Sequence, residues 1–346
     1  MSTSFTAMTW NVENLFPPGH LISARKAVTE EEYAAKLEYL AQTILTIRPD
    51  VLALQEIGGS EESDKRPLDD LQSNLNGLYP HKALSGYPDP RGIRVGFLSR
   101  YPILDRDEFV SFAPGELAAV PNWYPNPPST RMGRGVLSIE VEPLAGVRIW
   151  LITVHLKSKL ITYPGGRFAP KSEDERAIGA GLGLLRRTAE AVAIRAYLND
   201  LMKPESTART IVLGDFNDEP RAATTQLFLG PEDADATSAD KFDDVRLYNL
   251  VDSIPGRGDA NHDKWFLAEG ERFSRINNGR RELIDHLFVS KNLLGPSEEL
   301  RQDKWKVKEV RCWVISILDE DVTNNPAARV GEARPDHAPV YARFEL

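Results

Sequence analysis

A single cysteine, Cys312, in 346 residues excludes an internal disulfide, and its alternating apolar surroundings make it a buried thiol rather than a reactive one. No apolar run reaches membrane-spanning length, so no integral membrane segment is expected. The first six residues carry no basic stretch of the kind that opens a secretory leader, and the cytoplasm is the expected compartment. A Cys/His cluster, a glycine-rich phosphate loop and a Gly-x-Ser-x-Gly elbow are all missing, which removes thiolate zinc sites, Walker-type nucleotide binding and serine-hydrolase chemistry. Basic charge is also short: 42 Lys and Arg against 51 Asp and Glu leave a net charge of −9. A general coat for polyanions is thereby excluded, whereas a local basic groove, or carboxylates gathered around a divalent cation, is not.

The hydrophobic fraction of 41% and the charged fraction of 27% are those of a globular protein, and a single domain spanning residues 1–346 is expected. The most informative stretch is Ile211-Val212-Leu213-Gly214-Asp215-Phe216-Asn217-Asp218. An apolar run of strand length meets Gly214 and then presents Asp215 and Asn217 two residues apart. Positions i and i+2 of a strand share a face, so a carboxylate that can take a proton from water and a neutral carboxamide converge on one point. A strand-ending turn uses the same residues, and the rest of the chain must decide.

Several other segments end the same way. Residues 5–12 read as a strand ending in Trp10-Asn11-Val12-Glu13-Asn14. The spacing of Tyr33, Leu37, Leu40, Ile44 and Ile47 predicts an amphipathic helix over 30–47, followed by a strand over 51–57 that ends near Glu56. A carboxylate at the end of an apolar strand is costly to bury without a cation or hydrogen bonds, which makes Glu56 a metal-ligand candidate. A second helix is expected over 67–78, a strand over 93–98, an irregular Pro-rich loop over 114–130, and a hairpin of 135–141 with 147–154. The second hairpin strand ends at His155, and Lys157, Lys159, Arg167 and Lys171 follow as a local basic patch that could attract phosphate. Arg94, Arg131 and Arg134 could reach substrate phosphates, but an arginine in a loop or at a strand end is usually solvated, and the three are left out of the site.

The longest helix is expected over 172–202, opened by the capping box Ser172-Glu173-Asp174-Glu175. Its stripe of Ile178, Leu182, Leu185, Ala189 and Val192 should pack on a sheet, and Gly179, Gly181 and Gly183 imply close backbone packing. A short helix over 220–229 and an acidic solvated loop through Asp240 follow. Strands are expected over 272–276 and 282–289 around Asn277-Asn278-Gly279, then over 305–317 and 340–344. The segments Ile284-Asp285-His286 and Pro335-Asp336-His337-Ala338-Pro339 supply a further carboxylate and a titratable imidazole. Strand-helix alternation with hairpins in both halves suggests two mixed sheets packed together with helices outside.

With these pieces in order, the chain resembles the endonuclease/exonuclease/phosphatase superfamily, the DNase I-like fold. The resemblance rests on Trp10-Asn11-Val12, Leu54-Gln55-Glu56, Val154-His155-Leu156, Gly214-Asp215-Phe216-Asn217, Ile284-Asp285-His286 and Pro335-Asp336-His337-Ala338-Pro339, and covers nearly the whole length. It implies a four-layered α/β sandwich and metal-dependent cleavage of a phosphate ester. It further implies Glu56 as the main Mg²⁺ ligand, with Asn11 and Asp336 supporting, and Asp215 orienting or deprotonating the attacking water. Asn217 and His155 would hold phosphate oxygens, and His337 paired with Asp285 would complete the acid/base set. Oxygen ligands favour Mg²⁺ or Mn²⁺ over zinc.

The imidazole at His155 resembles the DNase I, sphingomyelinase and inositol-phosphatase branches more than the abasic-site repair nucleases, which carry Tyr there. Nucleic acid is the expected substrate, with Lys157 and Lys159 as phosphate contacts, and a phosphorylated small molecule or lipid is the alternative. A monomer is expected.

Overall fold

The computed structural model describes residues 4–23, 26–59, 66–202, 208–230, 245–251, 273–277, 279–293, 329 and 331–345. The strand expected over 305–317, with Cys312 inside it, and the acidic loop through Asp240 lie outside the described residues.

In chain order the elements are β1 (Ser4–Leu15), β2 (Leu21–Ser23), β3 (Lys26–Ala27), α1 (Glu30–Ile47), β4 (Val51–Ile57), α2 (Arg66–Ser73), β5 (His81–Leu84), β6 (Arg94–Ser99) and β7 (Asp105–Ser111). They continue with β8 (Arg131–Leu144), β9 (Val147–His155), α3 (Glu173–Leu201), β10 (Arg209–Asp215), α4 (Ala223–Leu229), β11 (Leu247–Asn249), β12 (Arg275–Asn277), β13 (Arg280–Glu282), β14 (Asp285–Ser290) and β15 (Val340–Glu345). One sheet has the order β15-β1-β4-β6-β5 and the other β11-β14-β10-β9-β8-β7. Both are mixed: β1 pairs parallel with β4 and β9 parallel with β10, whereas β14 and β15 run antiparallel to their neighbours. Among the described residues no helix is long and apolar enough to cross a membrane.

Three apolar clusters separate four layers. Phe5, Ala7, Val51, Ala53, Ile149, Leu151, Ile211, Leu213, Leu287 and Val289 meet between the two sheets. Met8, Trp10, Leu52 and Leu54, on the opposite face of the first sheet, pack on Leu37, Leu40 and Ile44 of α1 and Leu68 and Leu71 of α2. Ile152, Val154, Val212 and Phe288 of the second sheet pack on Ala189, Ile194 and Leu198 of α3 and Phe228 of α4. The four-layered α/β sandwich is the architecture observed.

Local chemistry explains both the agreements and the departures. Helix α1 occupies the range its spacing implies, because Thr29 and Glu32 form a reciprocal capping box and Arg48 closes the helix in the left-handed region. Helix α2 stops at Ser73, short of 78, since Asn76 and Gly77 take positive φ. At α3 only half of the expected box forms: Ser172 accepts from Glu175 N, while the Glu175 carboxylate turns to Arg167.

The apolar stripe of α3 is also corrected. Ile178 is 56% exposed and Leu185 is exposed, because packing against the second sheet is concentrated in the C-terminal half of the helix. Gly179 does meet close neighbours, since a Cβ there would lie 2.7 Å from Ile161, but Gly181 and Gly183 face open space. The strand expected over 282–289 is broken at Leu283 and Ile284, where Ser274 Oγ accepts from Ile284 N and Asp285 N. The polar edge strand β7 was invisible as an apolar run.

Candidate active site

Strand alternation builds the site from the inter-sheet core. On β9, Ile149 and Leu151 face the core between the sheets, and the same face continues through Thr153 to His155. On β10, Ile211 and Leu213 lead to Asp215, and on β14, Leu287 and Val289 share a face with Asp285. On β1, Phe5 and Ala7 lead through Thr9 to Asn11. Register completes the convergence, because Asp215 lies opposite both His155 and Asp285. Within this polar layer Thr9 donates to Gln55, and Gln55 donates to Thr153 across the sheets.

Glu56 does not follow from alternation, which would turn it with Leu52 and Leu54 toward α1. A register shift on both sides of β4 and a φ of 65° at Glu56 re-aim it into the cleft. Positive φ is costly for a residue with a Cβ, and Glu13 (47°), Asn14 (53°) and Asn217 (53°) share it at the same strand ends. The Glu56 carboxylate accepts from Asn14 N at 2.9 Å and from Asn11 Nδ2 at 3.3 Å. No lysine or arginine ion pair reaches it among the described residues, and His155 Nε2 stands 3.9 Å away.

Asp215 is the hub. Its Oδ2 accepts from Asn11 Nδ2 at 3.0 Å and lies 3.3 Å from His155 Nε2 and 4.0 Å from His337 Nε2, while Oδ1 accepts from Asn217 N at 2.8 Å. Gly214 makes this strand end possible: its φ is 154°, and a Cβ would fall 2.0 Å from Val154 O. Burial, with the charge of Asp285 adding, pushes the Asp215 carboxyl up to about 7 against the lowering effects of His337, Asn11 and the Asn217 N–H.

His337 Nδ1 lies 2.7 Å from Asp285 Oδ2. Burial alone would lower this imidazole, but Asp285, Asp336 and Asp215 outweigh it and hold the imidazolium up to about 10. Asp285 Oδ1 is buried without a hydrogen-bond partner among the described residues. The donor atoms of Asp215, Asp285 and His337 all lie within 4.8 Å of one another, a spacing that could hold a metal ion. Because His337 Nδ1 is committed to Asp285 and the ring is protonated, the trio reads better as a proton-handling group than as a ligand cage.

His155 differs. Its pKa is driven well below the usual imidazole value by burial and then by the charges of Arg134, Arg91, His337 and Lys157. Arg134 is only 8% exposed and Arg94 only 7%, so neither is the solvated arginine expected, whereas Arg131 is exposed. Arg134 donates to Leu156 O at 3.4 Å and stands 3.5 Å from Asp89. Asn217 Nδ2 also donates to Leu156 O, at 3.1 Å, which places this carboxamide beside the end of β9. The lysines are less direct than expected: Lys157 Nζ donates to Ser158 O and Leu160 O, and Lys159 pairs with Asp218 at 3.1 Å.

Asp336 lies on the far side of the site. It is 3.9 Å from His337 Nε2 and 3.4 Å from Arg275 Nε. His337, Arg275, Arg329 and Lys36 lower its pKa despite burial. Glu190, buried on α3, accepts from Gly133 N and Lys157 N and so fixes the backbones flanking Arg134 and His155. Neither Glu190 nor Arg275 carries a local sequence signal, because each is defined by a partner distant in the chain.

The endonuclease/exonuclease/phosphatase family profile matches residues 8–303. The chain belongs to this family. The match stops before Asp336 and His337, which the fold nonetheless returns to the other site residues. Among solved structures, the catalytic domain of human Nocturnin with bound sulfate anion is similar at 15% identity and a TM-score of 0.54, covering 99% of this chain and 95% of that one. An endonuclease/exonuclease/phosphatase family protein from Leptotrichia buccalis gives 17% identity and 0.51, over 99% and 100% of the two chains. A protein described in the same way from Bacteroides vulgatus gives 14% and 0.51, over 99% of each. These likenesses concern the fold. No curated protein matches the sequence.

Proposed function

We propose that this phosphoesterase hydrolyses phosphodiesters in nucleic acid with Mg²⁺, or Mn²⁺, as cofactor. The observation that carries the reading is the placement of Asp215 Oδ2 within 4.0 Å of a neutral imidazole, a protonated imidazole and a carboxamide. Glu56, aimed into the cleft and without a cationic partner among the described residues, fits a divalent ion, with Asp336 as a further oxygen donor and Asn11, whose Nδ2 donates to Glu56, supporting that carboxylate. When bound, the ion supplies Lewis-acid charge against the phosphate oxygens.

The protein groups do the rest. Asp215, ionised above about pH 7, orients the attacking water and takes its proton. The His337 imidazolium, held by Asp285, faces the charge that builds on the phosphate oxygens. His155 and Asn217 hold the phosphate without bringing a second titrating proton to Asp215. Arg134, Arg91 and Lys157 extend positive charge beyond His155, which suits a substrate with neighbouring phosphates.

A second reading, a lipid phosphoester, is favoured by the exposed apolar side chains around the 157–171 loop, among them Tyr124 (93%) and Phe168 (70%). Nicking of supercoiled plasmid DNA separates the two. Wild type with Mg²⁺ should nick, whereas Asp215→Asn and an EDTA control should not. Turnover of lipid or inositol phosphates with no nicking moves the assignment to the second reading. Failure to hydrolyse any phosphate ester ends both.

A further inference from the structure

Across the site from His155, the hairpin β12–β13 carries an arginine to the acidic edge. Arg275 forms a backbone bridge with His337, and Ala338 N donates to Ser274 O at 2.7 Å. Ser274 Oγ accepts from the backbones of Ile284 and Asp285. The hairpin is thus clamped to both segments that supply Asp285, Asp336 and His337, and the position of Arg275 is set by the same contacts that set theirs.

The guanidinium of Arg275 is not a saturated counter-ion. By contrast, Arg329 grips Glu13 with a two-pronged fork at 2.7 and 2.8 Å and donates as well to Arg334 O. Arg275 Nε instead stands 3.4 Å from Asp336 Oδ2, and Nη1 stands 3.8 Å from Glu282 Oε2. Its Nε is buried and has no hydrogen-bond partner among the described residues. The side chain is 24% exposed, so it is not sealed off from solvent. Like any arginine it keeps its charge at every ordinary pH, with Asp336 and Glu282 as the carboxylates beside it. A group that keeps its proton, owns an unsatisfied donor and is fixed beside the acid/base residues is built to receive an anion.

We propose that Arg275 is a catalytic residue whose guanidinium hydrogen-bonds a non-bridging oxygen of the substrate phosphate from the Asp336 side, opposite His155. The inference rests on the phosphoesterase reading of the site, and it names the phosphate group itself, common to nucleic-acid and lipid esters, as what Arg275 recognises.

Calorimetry with inorganic phosphate in the presence of Mg²⁺ tests it on wild type, Arg275→Lys and Arg275→Ala, alongside hydrolysis of bis(p-nitrophenyl) phosphate. Arg275→Ala should weaken phosphate binding at least about tenfold and lower turnover about 10²-fold, and free guanidinium should restore part of the turnover. Arg275→Lys keeps the charge opposite Asp336 but loses the planar donor fork, so it should show an intermediate loss with an unchanged circular dichroism spectrum. It decides the matter if the alanine variant does not fold. Phosphate binding unchanged from wild type in the folded variants overturns the inference, even where turnover falls. Absence of phosphate binding by wild type overturns it too. If wild type binds phosphate through Arg275 and hydrolyses no ester, the proposed function fails and the Arg275 contact stands.

Discussion

Two buried histidines lie on either side of Asp215, one neutral and one cationic. His155 sits among Arg134, Arg91 and Lys157 and is held neutral, while His337 sits among Asp285, Asp336 and Asp215 and is held protonated. Both are desolvated, and desolvation alone would neutralise both. The difference is therefore made entirely by neighbours delivered through strand register and loop return. On the proposed function, one flank would hold an anion without titrating and the other would offset negative charge as it forms. Asp215, touching both, is the only group of the three whose protonation changes near neutrality.

The largest break in this arrangement is Asp215→Asn, which keeps the side-chain shape and removes the shared carboxylate. Turnover should fall about 10³-fold or more with the melting temperature not lowered, measured by single-turnover cleavage and thermal unfolding. Activity within tenfold of wild type would contradict the hub role.

Asp285→Asn should come next, because it strips His337 of the charge that raises it most. A loss of about 10²-fold is expected. The pH profile gives the sign. Wild-type turnover should rise as Asp215 ionises through about 7 and fall as His337 loses its proton through about 10. In Asp285→Asn the alkaline limb should move to lower pH, and the NMR titration of the His337 ring should move with it. A limb that stays in place would assign it to another group.

These experiments probe a site whose parts were unequally legible. Asp215 is the next inter-sheet position after Ile211 and Leu213, Asn11 and His155 follow their apolar pairs by one polar residue, and Asp285 precedes Leu287 and Val289 on the same face, so alternation alone points all four into one layer. Glu56 was legible only as a carboxylate closing an apolar strand, since its direction depends on a bulge and a positive φ that no periodicity encodes. Arginines near strand ends are usually solvated, and nothing local in the sequence marks Arg134 as an exception. Its burial comes from packing between β8 and the loop holding Asp89, a contact between segments 45 residues apart. Helix α1 was readable to its ends because its cap and its stripe are local. The N-terminal half of α3 was not, because amphipathic spacing does not reveal where the sheet beneath a helix ends.

Smaller effects come from the His155 flank, where binding rather than chemistry should suffer. Arg134→Gln removes the leading charge acting on His155, so the ring pKa should rise, KM should increase about tenfold, and kcat should stay within about threefold. Paired kcat and KM measurements check the split, and a loss confined to kcat would place Arg134 in the chemical step.

Lys157 should give the smallest signal. Its ammonium is spent on Ser158 O and Leu160 O, so on the proposed function it would act on substrate through its field rather than by contact. Burial, followed by the repulsion of Arg134, brings it down to about 8, so it is charged below that pH and neutral above it. Sign follows from that: KM should climb about two- to threefold as pH passes from 7 to 9, while kcat stays on its plateau between the Asp215 and His337 limbs. Lys157→Arg, which keeps its charge across that range, should flatten the climb, and Lys157→Met should start at the higher KM and stay there. A climb that survives in Lys157→Met would show that the cationic field beside His155 titrates through some other group.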